Sequence, residues 1–371
     1  MDNNNLSPAT LKLVRICFLV AGTTGLFILN KFTSEAEVDP HEAVLRLNSG
    51  MYRPYVLWRA SPTSVGYATI QHTGLRVVPG SSDDPSAVQV FVFGGSTMVG
   101  WQTSDSVTIC AHMQRNLALT SDRPVCVTNF AQQGYVNTQE LIELQLQLRA
   151  GNVPDLVIFY DGTNEIWSAV ATDTAGVHFY LQEIADIYEN RHFTRECTSA
   201  QNELLHLAGE LSSVHFLRRI LGIDTDNSLL SLYQPEPSRC SLYGEDFVDP
   251  AEFAEEIMGI YEGDLRILQA LSEEFDFECR VFWQPVILTG NKPLSAEEKD
   301  IYDLQDSFVL LLYQECELLA MILESRYDNF FCETDIFDNT EETVFLDLCH
   351  LNSLGDSLIA DRILSSLPPI F

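Results

Sequence analysis

The chain is short of positive charge. Its 371 residues carry 21 lysines and arginines against 53 aspartates and glutamates, a formal net charge of -32. Gripping nucleic-acid phosphates needs clustered Lys and Arg, so no nucleic-acid partner is expected. The same deficit argues against adhesion of the folded body to anionic lipid. A solvated acidic surface is what remains; it favours solubility and identifies no substrate. Nine cysteines are present without a single C-x-x-C pair, and their spacing forms no recognisable disulfide framework. Cys110 and Cys126 read as small buried apolar residues, while Cys197 and Cys240 bracket a polar stretch and are the first pair to test for a bridge. No internal repeat is found. Disorder is excluded as well, because hydrophobic residues make up 46% of a chain long enough for one large domain or two ordinary ones.

Long apolar runs are confined to the N-terminus. After ten polar residues, Lys12 and Arg15 precede fourteen uncharged residues, 16–29. With residues 11–14 the run is long enough to span a bilayer if Arg15 snorkels to the headgroups. A signal-peptide core has a similar length, but Asn30, Lys31 and Phe32 follow where small residues would mark cleavage. The expectation is an uncleaved, single-pass signal anchor over residues 1–32, making the membrane a partner through this helix. Positive charge before the run and negative charge after it place the body outside the cytoplasm; cleavage would make the protein secreted. A buried globular helix is the remaining reading.

Residues 33–87 are expected to be an acidic linker and a small extension, whose part from 51 to 80 mixes aromatics, Pro and Gly in the manner of short strands and turns. From residue 88 the pattern becomes regular. Residues 88–93 are nearly all apolar and β-prone, as in a strand buried on both faces. Helix is expected over 107–119, strand over 125–129, helix over 138–150 with Leu141, Leu144 and Leu148 on one face, and strand over 156–160. Alternation at this period implies a parallel sheet covered on both faces, with functional groups at the carboxyl ends of its strands. Residues 170–250 break the pattern and read as a helical insertion or lid. Beyond them come a long helix at 252–275, a strand at 280–284, a helical region at 295–326, a short strand at 327–331 and an amphipathic helix at 354–364.

Four segments fall at strand ends or just before the last helix: Gly94-Gly95-Ser96, Gln133-Gly134-Tyr135, Asp161-Gly162-Thr163-Asn164-Glu165, and Asp347-Leu348-Cys349-His350. Together they contain what acyl transfer needs. There is a hydroxyl nucleophile on a sharp turn, a base to take its proton, a carboxylate to orient that base, and donors for an oxyanion. Each residue also has a plain structural alternative. Ser96 and Asn164 can cap helices, Gly134 can be an ordinary loop glycine, Asp347 a surface carboxylate, and His350 one satisfied histidine among eight.

Taken in order, these segments resemble the SGNH hydrolases of the GDSL esterase superfamily over about residues 88–170 and 340–366. The resemblance implies a flavodoxin-like three-layer α/β/α fold with a central parallel sheet, forming a hydrolase domain over 88–371 with the insertion at about 170–250. It implies Ser96 as nucleophile, Asp347 and His350 as the D-x-x-H pair, and an oxyanion hole made by the Ser96 and Gly134 N–H groups and the Asn164 amide. Two departures stand out: GGST replaces GDSL, and GTNE replaces GTND. The first removes an acid that is usually structural; the second lengthens a carboxylate beside the oxyanion amide. The run Thr73-Gly74-Leu75-Arg76-Val77 resembles what precedes the nucleophile strand in membrane-anchored members.

The function expected is serine-dependent cleavage of a carboxylic ester through an acyl-enzyme. The partner is a small-molecule, glycan or lipid ester, and an acyl transferase or deacetylase of an envelope glycan or lipid falls within this reading. The alternative is a catalytically idle scaffold that binds a glycan or a partner protein. No metal or organic cofactor is implied by triad chemistry. Glu189/His192 and Glu203/His206 are E-x-x-H pairs, but a di-iron site needs two further glutamates from separate helices, and solvated helix faces suffice to explain them. The run Asp224-Thr225-Asp226-Asn227 lacks the Gly and Glu of a calcium loop, with Leu229 and Pro235 in their places.

Overall fold

Seven residues, Val88–Gly94, form the strand on which the sheet is built, and six of them are buried. The computed structural model describes residues 50–189 and 248–368. The N-terminal apolar run lies outside the described residues, as do Cys197, Cys240, His192, the Glu203/His206 pair, the 224–227 run and most of the expected insertion.

Four short strands come first: β1 (Gly50–Arg53), β2 (Leu57–Ala60), β3 (Thr63–Val65) and β4 (Ala68–Ile70). They form two antiparallel pairs, β1 with β2 and β3 with β4. The sheet itself comprises β5 (Val88–Gly94), β6 (Val125–Asn129), β7 (Leu156–Asp161), β8 (Glu278–Trp283) and β9 (Phe330–Cys332), in the order β6-β5-β7-β8-β9. Every neighbouring pair is parallel. This is the doubly wound order of flavodoxin-like sheets, in which the chain reverses its direction of travel between the first and third strands. Here that switch point lies between β5 and β7. All six residues of β7 are buried, as a strand covered on both faces requires.

The helices are α1 (Ser96–Val99), α2 (Ile109–Thr120), α3 (Asn137–Arg149), α4 (Thr163–Thr172), α5 (Leu181–Glu189), α6 (Pro250–Phe275), α7 (Ala296–Asp303), α8 (Ser307–Glu324) and α9 (Ser353–Ser365). Helix α9 packs on α2, while α6 packs on α3, α4 and α8. The two groups cover the sheet from its two sides and give the three-layer α/β/α architecture. The core runs through the sheet, with Val90, Val92, Phe93, Ile158, Phe159 and Val281 wholly inaccessible to solvent. None of the described helices is long and apolar enough to cross a membrane.

The helical region expected over 295–326 is two helices. Asp306 ends the continuity by accepting the Phe308 N–H at 2.7 Å, so that a fresh N-cap starts α8. The final strand starts three residues later than expected, at Phe330. The extension over residues 50–80 is stitched to the sheet and to the loop after β6. Arg76 bridges Asn129 at the end of β6, Ala60 N–H donates to Gln132 Oε1 at 2.8 Å, and Trp58 Nε1 donates to Gln133 O at 3.0 Å.

Candidate functional site

Strand β5 ends in two glycines, and Ser96 opens the one-turn helix α1. Gly95 has an ordinary extended backbone with φ -83° and ψ -155°, so the reason for glycine is space. A Cβ at this position would lie 2.1 Å from Asn164 Nδ2. The Asn164 amide therefore occupies the place where a side chain on the residue before Ser96 would begin. Glycine in GGST thus leaves the Asn164 amide where it stands; any side chain at position 95 would require that amide to shift. As the first helical residue, Ser96 has an N–H with no intrahelical carbonyl to bond.

His350 comes from a short closed loop before α9. Phe345 and Leu351 pair across it, and Leu346 N–H donates to His350 O at 2.8 Å. A buried carboxylate, Glu298, holds its base by accepting the Val344 and Phe345 N–H groups at 2.9 and 3.0 Å. Asn352 caps α9 through the Leu354 and Gly355 N–H groups. Within this loop Asp347 Oδ1 accepts the Cys349 and His350 N–H groups at 3.0 and 2.8 Å. Its Oδ2 lies 2.6 Å from His350 Nδ1. On the other side of the ring, His350 Nε2 is 2.7 Å from Ser96 Oγ. Ser96, His350 and Asp347 thus form one continuous hydrogen-bonded line. The Trp101 ring stacks on the imidazole, with centroids 5.5 Å apart and 29° between planes.

Charge in this line is unevenly held. Burial pushes the Asp347 carboxyl upward, but the His350 hydrogen bond and charge and the two backbone donors outweigh it and hold it at about 2. Burial favours the neutral imidazole of His350, yet the neighbouring Cys349 and Asp347 lift it well above its ordinary value. Among the described residues one group of His, Cys, Asp or Glu side chains is close enough to share a metal ion, and it is Asp347, Cys349 and His350.

The other expected site residues flank the switch point. Gly134 is buried and sits at φ +70°, a left-handed conformation open to glycine at little cost. Its N–H has no hydrogen-bond partner among the described residues. Asn164 Nδ2 donates to Tyr135 O at 2.7 Å, which ties the loop after β7 to the loop after β6. The Asn164 amide has a second N–H, and its nitrogen lies against Gly95, next to Ser96.

Several contributors were not foreseen from the sequence. Glu165 turns inward, with Oε1 accepting the Asn137 N–H and Oε2 the Gly162 N–H, both at 2.7 Å. One side chain thereby clamps the segment after β6 to the turn after β7. Beneath it lie Asp161 and Glu140, both buried. Burial first, then the charge of Asp161, raise Glu165 to about 8 and Glu140 well above the usual carboxyl range; burial likewise raises Asp161 to about 6. Neither Glu140 oxygen has a hydrogen-bond partner among the described residues, so nothing offsets the burial and the nearby Asp161 charge that raise it. Asn137 Nδ2 and Tyr261 O–H donate to Asp161, at 2.7 and 3.1 Å. Arg76, 4% exposed, holds the segment that carries Trp101. It donates to Val99 O at 2.9 Å, Thr103 O at 2.6 Å and Asp105 Oδ1 at 2.9 Å, and also to Gly100 O. A lone arginine in an apolar run ahead of β5 was the one signal for it.

No family model and no curated protein matches the chain. Among solved structures it is similar to the acetylxylan esterase Axe2 from Geobacillus stearothermophilus, at 12% identity and a TM-score of 0.39, covering 77% of this chain and 98% of that one. A member of the lipolytic protein G-D-S-L family from Veillonella parvula is similar at 12% identity and a TM-score of 0.36, covering 74% of this chain and 96% of that one. The lipase Lip_vut3 from a goat rumen metagenome gives 12% identity and a TM-score of 0.40, with 76% and 97% covered.

Proposed function

We propose that the chain is a serine hydrolase that cleaves carboxylic esters through an acyl-enzyme. One observation carries this reading: the Ser96 Oγ to His350 Nε2 contact of 2.7 Å, continued by the His350 Nδ1 to Asp347 Oδ2 contact of 2.6 Å. His350 takes the Ser96 proton as the oxygen attacks the ester carbonyl, and Asp347 keeps the ring in the tautomer that leaves Nε2 free to accept. The tetrahedral oxyanion is met by the Ser96 and Gly134 N–H groups and the Asn164 amide. His350 then returns the proton to the leaving alcohol, and water, activated by the same histidine, releases the acid. Covalent attack by Ser96, proton transfer by His350 and electrostatic stabilisation of the oxyanion are all supplied by the chain's own groups.

The substrate is proposed to be an ester of an envelope glycan or lipid, met by an anchored enzyme on the outer side of a membrane. The apolar run at 16–29 and the charge contrast around it support this location. Acetyl transfer to a sugar hydroxyl uses the same acyl-enzyme, with the sugar in place of water. The test is reaction of the purified chain with a fluorophosphonate probe, alongside hydrolysis of p-nitrophenyl esters of increasing acyl length and of acetylated glycans. Labelling at Ser96 that is lost in Ser96→Ala is the expected result. A folded chain that neither labels nor hydrolyses any ester overturns the reading in favour of a binding scaffold.

A further inference from the structure

Cys349 has no part in the mechanism above, yet it sits beside the catalytic imidazole. Its Sγ lies 3.9 Å from His350 Nδ1. One ligand atom each of Asp347, Cys349 and His350 falls within 4.8 Å of the other two, and Asp347 Oδ2 is 2.6 Å from the same Nδ1. We propose that these three side chains form an inhibitory binding site for a soft divalent metal ion, zinc or cadmium, behind the catalytic histidine.

The donor set decides the metal. A thiolate, an imidazole and a carboxylate suit zinc or cadmium and are a poor match for magnesium or calcium, which take oxygen ligands. Tetrahedral zinc at its usual bond lengths places nitrogen and sulfur ligands about 3.6 Å apart, and nitrogen and oxygen about 3.4 Å apart. The sulfur is therefore nearly in place. The carboxylate must open from its 2.6 Å hydrogen bond by about 0.8 Å. Asp347 has the freedom to do so, because its side chain is 45% exposed, against 16% for His350. The same exposure gives the ion an entry path and leaves water to fill its fourth position. The loop needs no rebuilding, since Asp347 Oδ1 already fixes the Cys349 and His350 backbone.

Inhibition follows from where the proton sits. A neutral imidazole carries one proton; in the working tautomer it is on Nδ1, donated to Asp347, and Nε2 has the free electron pair that accepts from Ser96. A metal ion needs the Nδ1 pair. That proton leaves to solvent, the ring takes one back on Nε2, and the thiol gives its proton to solvent as the sulfur–metal bond forms. The ring stays neutral, one proton is released overall, and Nε2–H now donates to Ser96 Oγ. The base is disabled without any blockage of the substrate side. Only this inhibitory half rests on the proposed esterase; the binding half does not.

The experiment titrates the full chain with cadmium and follows ultraviolet thiolate-to-cadmium absorption. Wild type is compared with Cys349→Ala and, should that variant fold poorly, Cys349→Ser. The expected result is a difference band of one thiolate per chain, removed by chelator and missing from the variants. In parallel, zinc is titrated into ester hydrolysis, each protein scored against its own metal-free rate. Wild type is expected to lose activity reversibly, and the variants to need at least about 10-fold more zinc for half-inhibition. The difference band without inhibition keeps the site and refutes its coupling to His350. Equal cadmium absorption in wild type and folded variants overturns the site itself, whether or not the chain hydrolyses esters.

Discussion

Asp347, in the loop before α9, and Glu165, in the first turn of α4, do the same structural task and end in opposite states. Each carboxyl accepts two backbone N–H groups, Cys349 and His350 for the first, Asn137 and Gly162 for the second. Burial pushes both upward, and backbone donors pull both down. What separates them is the neighbouring side chain. Asp347 faces an imidazole and is held at about 2; Glu165 faces another carboxylate, Asp161, and is held at about 8. Backbone hydrogen bonds fix where a carboxyl sits, and the charge beside it fixes what it can do. The first is built to stay ionised beside a base, the second to brace two loops with little net charge.

Removing the charge of Asp347 is the severest way to break this contrast. Asp347→Asn should lower kcat/KM by about 10⁴-fold, because an amide favours the wrong imidazole tautomer. The pH profile gives an independent readout. His350 must be neutral to accept the Ser96 proton, and its folded value is raised. Wild-type kcat/KM should therefore rise with pH along a limb centred above about 6.5, and Asp347→Asn should shift that limb downward. A limb at the same pH in both proteins would show that Asp347 does not tune the ring.

The oxyanion side is tested by the group that the Glu165 clamp serves. Asn164→Ala should lower kcat by about 10²–10³-fold with little change in KM, as measured with a soluble ester. A milder change sharpens the comparison. Glu165→Gln keeps the shape but leaves one oxygen to accept two N–H groups, and kcat should fall by about 10-fold with KM nearly constant. An unaltered kcat would mean that the two loops hold their positions without the clamp.

Stability against pH offers the smallest and most selective effect. Glu165 and Asp161 keep protons in the folded chain at pH values where the unfolded chain has lost them. Their contribution is full below the ordinary carboxyl range, near pH 4. It declines as pH rises toward the folded values of about 6 and about 8. Denaturant midpoints should fall across this window, and more gently in Glu165→Gln. A slope unchanged by that substitution would remove Glu165 as a source.

Much of this architecture was legible because the signals were local. Residues 88–93, 125–129 and 156–160 read as buried strands, and β5, β6 and β7 match them to within one residue. Strands covered on both faces write continuous apolar runs into the chain. Ser96, Gly134, Asn164, Asp347 and His350 were likewise marked by their places at element ends. The Glu165 clamp was not, since its partner Asn137 N–H is 28 residues away in another loop and backbone donors have no sequence code. Residues 51–80 read correctly as short strands and turns, but not as an extension tied to the loop after β6. Their attachment runs through isolated bonds such as Trp58 Nε1 to Gln133 O and Tyr135 O–H to Trp58 O. Such bonds leave no periodic trace.

Ser96 and His350 meet across 254 residues of sequence. During synthesis Ser96 and the loops that carry Gly134 and Asn164 leave the ribosome long before His350 does. A chain stopped anywhere short of the 345–351 loop holds an unactivated serine, however much of the sheet it has assembled. The Ser96–His350 contact is thus a property of the finished molecule, and the first appearance of any reactivity that depends on it would time the docking of the last loop and helix onto the sheet.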